Sequence, residues 1–244
     1  MKEELLEKIR KHGYWRVVIR PGEYKKTRIN SLEECEKLIK DNQVRLRGWD
    51  YPHVDSQEGI FRSSTSSVAS FSNWPEGGKI EYWELDQSAQ FTHYFCIRED
   101  LEIKNEKIME IKREFRLSDP VRLGDRFFEI INGLYSFTEI YLFASRIAEK
   151  VEYSDEIEIS ITLGNTSGRT LFFWNMFMRH LSMAYTCKFE PIEMTKQYKT
   201  DDLISQYKEF SLDVAIETFK YFNWKDANAG VFIEDQKKFI EKRF

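Results

Sequence analysis

The stretch KIEYWELDQSAQFTHYFCIR, residues 79–98, alternates bulky apolar side chains with polar ones on both sides of a short polar segment. This alternation predicts two β-strands joined as an antiparallel hairpin. With the turn centred on Ser88 and Ala89, in a loop of two or four residues, Glu84 is expected opposite His93 and Tyr82 opposite Phe95. One face of the hairpin would then carry seven side chains: Ile80, Tyr82, Glu84, Phe91, His93, Phe95 and Ile97.

A long helix is expected to pack on such a sheet. Between residues 126 and 149, apolar side chains recur at spacings of three and four, as in a helix that faces a core: Phe127, Ile130, Leu134, Phe137, Tyr141, Ala144 and Ala148. Downstream, residues 156–163 and 169–178 predict an outer and a buried central strand, joined as a hairpin by the turn residues 164–168. Further helices are expected from about 200 to 222 and from 233 onward.

The N-terminal part predicts a helix over 3–11, a strand over 14–20, a helix over 32–41 and a short strand over 43–47. Ser31 and Glu34 have the spacing of a capping box for the second helix. The Ser-, Gly- and Pro-rich residues 56–78 predict a long loop. Residues 99–118 predict a polar, mostly helical connector.

These elements predict one α+β domain over residues 1–244, with antiparallel hairpins packed against a long central helix and C-terminal helices. A junction between two subdomains near residues 99–118 is the alternative. A length of 244 residues suits a single core.

Composition narrows the functional classes. The 37 basic and 41 acidic residues give a formal net charge of −4, so no global field attracts nucleic acid or an anionic membrane. Three cysteines, Cys35, Cys96 and Cys187, do not form a disulfide framework or a CxxC pair. The N-terminus lacks the apolar core of a signal peptide, and polar residues interrupt the longest apolar stretch. We therefore expect a cytoplasmic protein without a membrane partner.

The sequence lacks the spacings of nucleophile elbows, Walker loops, Rossmann glycine patterns, HExxH helices and protein kinases. With 11 glycines in the chain, a phosphate-cradling loop is not expected. The nearest candidate is GNTSGRT, residues 164–170, whose amides could hold an anion together with Ser167 and Arg169. A plain hairpin turn explains the same residues. No cofactor is expected.

The histidines suggest one alternative chemistry. His12 lies at a predicted helix end and His180 at the polar end of a predicted strand, and neither has partners at ligand spacing. Two carboxylates and two imidazoles could hold a divalent ion and activate water. The four side chains of this alternative metal site are Asp50, His53, Glu84 and His93. A structural contact between Glu84 and His93 across the hairpin is the competing explanation.

RLRGWDYPHVD, residues 45–55, favours binding over catalysis. On a strand over 43–47, Arg45 and Arg47 would point the same way and form a paired donor surface suited to carboxylate or phosphate. Aromatic rings beside them could stack on a base or a peptide. The predicted binding residues are Arg45, Arg47, Trp49, Asp50, Tyr51 and His53. Alternatively, the rings fill the core and the arginines pair with Asp50 and Asp55.

Three stretches carry a resemblance to a known group: LRGWDYPH (46–53), YWELDQSAQFTHYFCIRED (82–100) and FNWKDANAGVFIEDQKKFIEK (222–242). With them the chain resembles an uncharacterised group of prokaryotic proteins associated with nucleic-acid binding and with no established activity. The resemblance implies a cytoplasmic prokaryotic protein, and it assigns no functional residue.

Two functional hypotheses follow. The first is a binding or accessory protein that recognises a nucleotide, a nucleic-acid end or a protein partner through the loop that follows residue 44. The second is a metal-dependent hydrolase or nuclease that uses the Asp/His/Glu/His set. A third hypothesis is a homo-oligomeric protein whose subunits contact each other through aromatic side chains.

Overall fold

The computed structural model describes residues 2–116, 124–151, 155–175, 179, 181–227 and 229–242. Its helices are α1 (Lys2–Arg10), α2 (Leu32–Asn42), α3 (Glu99–Glu102), α4 (Asn105–Arg116), α5 (Ile130–Lys150), α6 (Thr200–Tyr221) and α7 (Ala229–Ile240). Its strands are β1 (Tyr14–Pro21), β2 (Phe61–Arg62), β3 (Ser67–Trp74), β4 (Lys79–Asp86), β5 (Phe91–Cys96), β6 (Phe127–Glu129), β7 (Glu156–Gly164), β8 (Thr170–Phe172) and β9 (Ile192–Lys199).

Seven of the described strands form one antiparallel sheet in the order β2-β3-β4-β5-β1-β7-β9. The other two, β6 and β8, form a short parallel pair. The predicted α+β class is therefore confirmed, and the long helix α5 packs closely against α6. The sheet joins segments from both halves of the chain, because β1 lies between β5 and β7.

Each face of the large sheet has its own core. On one face, Trp15, Val17 and Ile19 of β1 are buried in the main apolar cluster, together with Phe137 and other residues of α5. Fully burying each large apolar side chain contributes roughly 1.5–3 kcal/mol. On the other face, Leu5, Leu6 and Ile9 of α1 pack over side chains of β4 and β5 in a smaller cluster. The sheet thus lies between α1 on one side and α5 with its neighbouring helices on the other.

The capping residue of α2 is confirmed. Ser31 has an extended backbone, and its Oγ accepts a hydrogen bond from the amide of Glu34 at 3.1 Å. The Glu34 carboxylate accepts from the amide of Asn30, not from that of Ser31. Half of the reciprocal capping box is therefore present, and it begins the helix where the sequence predicts.

The predicted hairpin of β4 and β5 is present, but its register differs by one residue from the prediction. The observed pairs are Glu81–Phe95, Tyr82–Tyr94, Trp83–His93, Glu84–Thr92 and Leu85–Phe91. Asp86 bonds to the carbonyl of Gln90 around a three-residue loop in which Ala89 is left-handed, with φ 67°. A three-residue loop of this kind shifts every pair relative to a two- or four-residue loop. The expected pairs Glu84–His93 and Tyr82–Phe95 are therefore wrong.

Other predictions about single elements are also corrected. The Ser-rich stretch predicted as a loop contains β3, in which small side chains such as Ser70 and Ser72 are buried. The predicted strand over 43–47 is reduced to a single bridge between Val44 and Tyr51. The predicted central strand over 169–178 is described only as β8, three residues long and paired in parallel with β6; residues 176–178 lie outside the described residues. The outer position predicted for β7 and its predicted hairpin with the strand over 169–178 are also wrong, since β7 pairs with β1 and β9 whereas β8 pairs with β6.

The turn between β7 and β8 binds a carboxylate of the same chain. The amides of Asn165 and Ser167 donate to the carboxylate of Glu190 at 2.6 and 3.0 Å. The fully buried Arg169 forms a bidentate ion pair with Asp100, at 2.6 and 2.9 Å. Neither group is therefore available to an external phosphate without losing its internal partner. His180 of the sequence analysis lies outside the described residues.

Within the part of the chain that the structure describes, no helix has both the length and the apolar character needed to span a bilayer.

Candidate functional site

A cleft opens beside strands β4 and β5, between the segment that follows Val44 and the start of α5. Its deeper part, which we call the inner cavity, has a volume of about 40 Å³. Its wider part, which we call the outer groove, has a volume of about 410 Å³. The two share five lining residues: Arg47, Arg98, Glu99, Glu129 and Asn132. The inner cavity has room for one or two water molecules, and the groove is within the usual range for small ligands.

Arg47 and Glu139 form the most extensive ion pair of the cleft. Nε of Arg47 donates to both carboxylate oxygens of Glu139, at 3.0 and 3.1 Å. The guanidinium also donates to Oδ1 of Asn132 and to Oγ of Ser136, the latter at 3.2 Å. The three acceptors are spaced by four and three residues on α5 and so lie on one helix face. Burial raises the pKa of Glu139, and the charge of Arg47 opposes this shift.

Glu81 and His93 form a second buried pair. Nε2 of His93 lies 2.8 Å from Oε2 of Glu81, and Nε1 of Trp49 donates to Oε1 of Glu81 at 2.6 Å. Burial disfavours the charged carboxylate, but the hydrogen bond from His93 and the nearby charges outweigh burial and lower the pKa of Glu81. An ionised carboxylate only accepts hydrogen bonds, so Nε2 of His93 carries the proton of this bond.

Two fully buried polar atoms on side chains that line the inner cavity have no hydrogen-bond partner among the described residues. They are Nδ1 of His93 and Oη of Tyr51. The two rings lie close together, with centroids 5.1 Å apart. Burial, and then the charges of Glu139 and Glu81, raise the pKa of Tyr51 well above its ordinary value, which keeps its hydroxyl protonated. Leaving a buried donor or acceptor unsatisfied costs about 1–3 kcal/mol, so such atoms call for an explanation.

Glu99 and Glu129 line the boundary between the inner cavity and the outer groove. Asn132 connects them, because its side-chain amide donates to Glu99 at 3.0 Å and its backbone amide donates to Glu129. Glu129 also accepts from the amide of Trp174 at 3.0 Å. Burial raises the pKa of Glu129 to about 7, with a further upward contribution from Glu99. Burial also raises the pKa of Glu99.

Lys79 lies at the first position of β4 and lines the inner cavity. Burial and then the charge of Arg47 lower its pKa to about 8. Its Nζ lies 5.4 Å from the ring centroid of Trp49, within the range of a cation–π contact. The cavity therefore contains acidic and basic groups that exchange protons near neutral pH.

The outer groove has aromatic walls. Tyr135 and Phe239 are stacked with ring centroids 3.9 Å apart and an interplanar angle of 5°. Trp174 lines the same groove with 48% of its surface exposed, which is unusual for so large a ring. Phe239 is fully buried, so the exposed Trp174 and the half-buried Tyr135 provide the flat surfaces for a planar ligand beside a polar floor.

The structure brings together four of the six predicted binding residues: Arg47, Trp49, Asp50 and Tyr51 line the inner cavity. Arg45 is exposed and interacts with Asp50 at 3.3 Å. His53 stacks on Trp49 with centroids 3.7 Å apart, but it does not line the cavity. Because Arg47 turns inward and Arg45 outward, the predicted paired guanidinium surface is wrong.

The alternative metal site is not assembled. Glu84 lies on the opposite face of the sheet from His93, where it accepts from Lys2, Ser63 and Ser67. Among the residues that the structure describes, no three His, Cys, Asp or Glu side chains are close enough to hold a metal ion. The one-residue shift of the hairpin is the physical reason, since it turns Glu84 away and places Glu81 beside His93.

Sequence reasoning missed several important side chains of the cleft: Lys79, Glu81, Glu99, Glu129, Asn132 and Glu139. A signal was present in α5. Glu129 caps this apolar helix, and Asn132, Ser136 and Glu139 follow it at spacings of three, four and three. Such a polar stripe on a buried helix indicates a cavity or a polar network, because unpaired buried charges are costly.

No family model, curated protein or solved structure matches this chain.

Proposed function

We propose that this protein is a binding protein that holds a planar, polar ring in the cleft, such as the base of a nucleotide or of a nucleic-acid end. The observation that carries the proposal is the concentration of buried ionisable side chains around one open cleft. Burying charges costs folding free energy unless they are paired, and perturbed groups of this kind cluster at functional sites.

The charges of the cleft favour an uncharged ligand group over a phosphate. Carboxyl groups outnumber cationic side chains: the former are Asp50, Glu81, Glu99, Glu102, Glu129 and Glu139, and the latter are Arg47, Lys79 and Arg98. Arg47 is already held by Glu139, and Arg98 donates to Glu102 at 2.6 Å. A phosphate would have to displace these internal partners, whereas a neutral ring would not.

The floor of the groove offers both acceptors and donors. Glu129 has a pKa near neutrality, so its carboxyl group can accept as an anion or donate as an acid. Exocyclic amines and ring nitrogens of nucleobases present the complementary pattern, and carboxylates accept from base amino groups. The exposed Trp174, beside the half-buried Tyr135, supplies a flat surface on which a base can stack.

The test is a titration of the intrinsic tryptophan fluorescence with the four ribonucleosides and their 5′-monophosphates. We expect saturable quenching with a Kd below about 1 mM for at least one base. Trp174→Ala removes an exposed wall of the groove and should weaken binding at least tenfold. Tyr24→Ala is the matched control, since Tyr24 is 77% exposed and does not line the cleft. Absence of saturable quenching, or equal affinity in the Trp174 variant, would overturn the proposal.

A further inference from the structure

The two orphaned atoms of the inner cavity point to chemistry beyond binding. Tyr51 and His93 are 6% and 1% exposed, and their unpartnered atoms belong to residues that line the same cavity of about 40 Å³. A polar cavity of this size holds a water molecule when it offers at least two hydrogen-bond partners. Oη of Tyr51 can donate to the water oxygen, and Nδ1 of His93 can accept one of its protons.

The pairing of His93 with Glu81 suits a base. Because the ionised carboxylate of Glu81 holds a proton on Nε2, a ring that carries only this proton presents its lone pair at Nδ1. When Nδ1 takes up a proton, the adjacent carboxylate stabilises the resulting imidazolium. The second ring nitrogen, Nδ1, is buried and has no hydrogen-bond partner among the described residues.

A proton donor lies at the boundary between the cavity and the groove. Glu129 lines both spaces, so it is available to a leaving group that spans them. Its pKa of about 7 lets the carboxyl group carry a proton at neutral pH.

We infer that the cleft hydrolyses esters or amides that join a small acyl group to a planar ring, with His93 as the base, Tyr51 as the residue that positions the water and Glu129 as the acid. This inference rests on the proposed function for the place of the ring in the outer groove. The inner cavity has room for one or two water molecules, so the acyl group would lie where the cavity meets the outer groove.

The step balances without a further reactant. One O–H bond of the water breaks as its proton passes to Nδ1 of His93, and the water oxygen bonds to the acyl carbon. The bond between that carbon and the leaving group then breaks, and the leaving group departs with the electron pair and the proton from Glu129. The proton on His93 returns to Glu129 through solvent, so the net change is the addition of one water.

The first test uses p-nitrophenyl acetate, which combines a small acyl group with a planar leaving group. The wild type is expected to hydrolyse it with saturable kinetics. Tyr51→Phe removes only a hydroxyl that has no partner, so the variant should fold as well as the wild type while its kcat falls at least tenfold. His12→Gln is the control, because His12 lies at the end of α1 and does not line the cleft; its kcat should not change.

The second test isolates Glu129. p-Nitrophenolate leaves without protonation, whereas an anilide needs an acid. Glu129→Gln should therefore lower the hydrolysis of p-nitrotrifluoroacetanilide at least tenfold more than that of the ester. Equal effects on the two probes would overturn the role of Glu129.

The hydrolytic inference and the binding proposal can fail independently of each other. Saturable nucleoside binding with no hydrolysis above the buffer rate would overturn the hydrolytic inference and leave the binding proposal standing. Equal kcat in Tyr51→Phe and the wild type would also overturn it, since a water positioned by that hydroxyl could not then be the nucleophile.

Discussion

Arg47 reaches from the segment after Val44 to Glu139 of α5, and its guanidinium contacts both carboxylate oxygens. The pair ties an irregular segment to the centre of α5. Glu139 is 2% exposed, so its charge depends on this single arginine together with the more distant Lys79. The contact thus fixes one wall of the cleft and holds a carboxylate in the core.

Removing the side chain of Arg47 should destabilise the folded protein. Arg47→Ala leaves Glu139 buried without its ion-pair partner, and we expect a loss of about 3 kcal/mol in the free energy of unfolding, the lower end for breaking a buried pair. Arg45→Ala is the matched control, because Arg45 is exposed and its removal should cost less than about 0.5 kcal/mol. Urea unfolding of both variants measures the difference. Equal stability of the two variants would show that the buried pair does not hold the segment.

Glu129 should make stability depend on pH. Its pKa rises from the ordinary 4.5 to about 7 in the folded state. Folding therefore takes up a proton, and the stability linked to it is complete below about pH 4.5 and is lost as the pH rises through about 7. Glu129→Gln avoids that loss, so its stability relative to the wild type should increase by up to about 3 kcal/mol between about pH 5 and pH 8.5.

The measurement is urea unfolding of Glu129→Gln at both pH values. Glu234→Gln, on an exposed position of α7, is the control and should show no such difference. A pH-independent effect of Glu129→Gln would mean that the carboxyl group is ionised in both states.

The indole nitrogen of Trp49 should stabilise the protein through Glu81. Trp49→Phe keeps an aromatic ring but removes the donor to the buried carboxylate, and a hydrogen bond to a charged group contributes about 1.5–3 kcal/mol. Trp74→Phe is the matched control, since Trp74 is 55% exposed and the change should cost less than about 0.5 kcal/mol. Thermal unfolding of the pair would reveal whether the Glu81 network contributes; similar melting temperatures would argue against it.

Gly13 should tolerate no side chain. A Cβ at this position would lie 2.1 Å from Nη2 of Arg169, and Asp100 holds that guanidinium in place. Gly13→Ala should therefore destabilise the fold by more than about 2 kcal/mol, the usual scale of overpacking. At Gly48 a Cβ meets no atom within 4 Å, so Gly48→Ala is the control and should be nearly neutral. Chemical denaturation measures the free energy of unfolding of both variants. An unchanged stability of Gly13→Ala would mean that Arg169 can move to make room for the Cβ.

The sequence predicted the elements whose signal is local. The alternation over 79–98 and the helical spacing over 126–149 each depend on neighbouring residues, and both elements form close to the predicted positions. β3 was missed because its serines favour loops by composition, whereas Ser67 and Ser70 satisfy their hydroxyls by bonds to Glu84 and to the carbonyl of Gly59. Whether such a segment forms a strand therefore depends on partners that are distant in sequence.

The site was predicted only in part for the same reason. Trp49 and Tyr51 were identified because aromatic residues cluster visibly in one loop. Glu81 was missed because the hairpin register depends on the left-handed conformation of Ala89, which alanine rarely adopts. Glu99 and Glu129 belong to segments that meet only after β6 and α3 come together, and no sequence spacing reveals that contact.

The most direct measurement is the nitrogen-15 spectrum of the histidine side chains during a titration with the nucleoside that binds best. The chain has four histidines, so the signals can be assigned by single substitutions. If the ligand occupies the cleft, the Nδ1 signal of His93 shifts in proportion to saturation while the signals of His12 stay in place. An unchanged His93 signal at full saturation would place the ligand elsewhere and contradict the assignment of the cleft as the functional site.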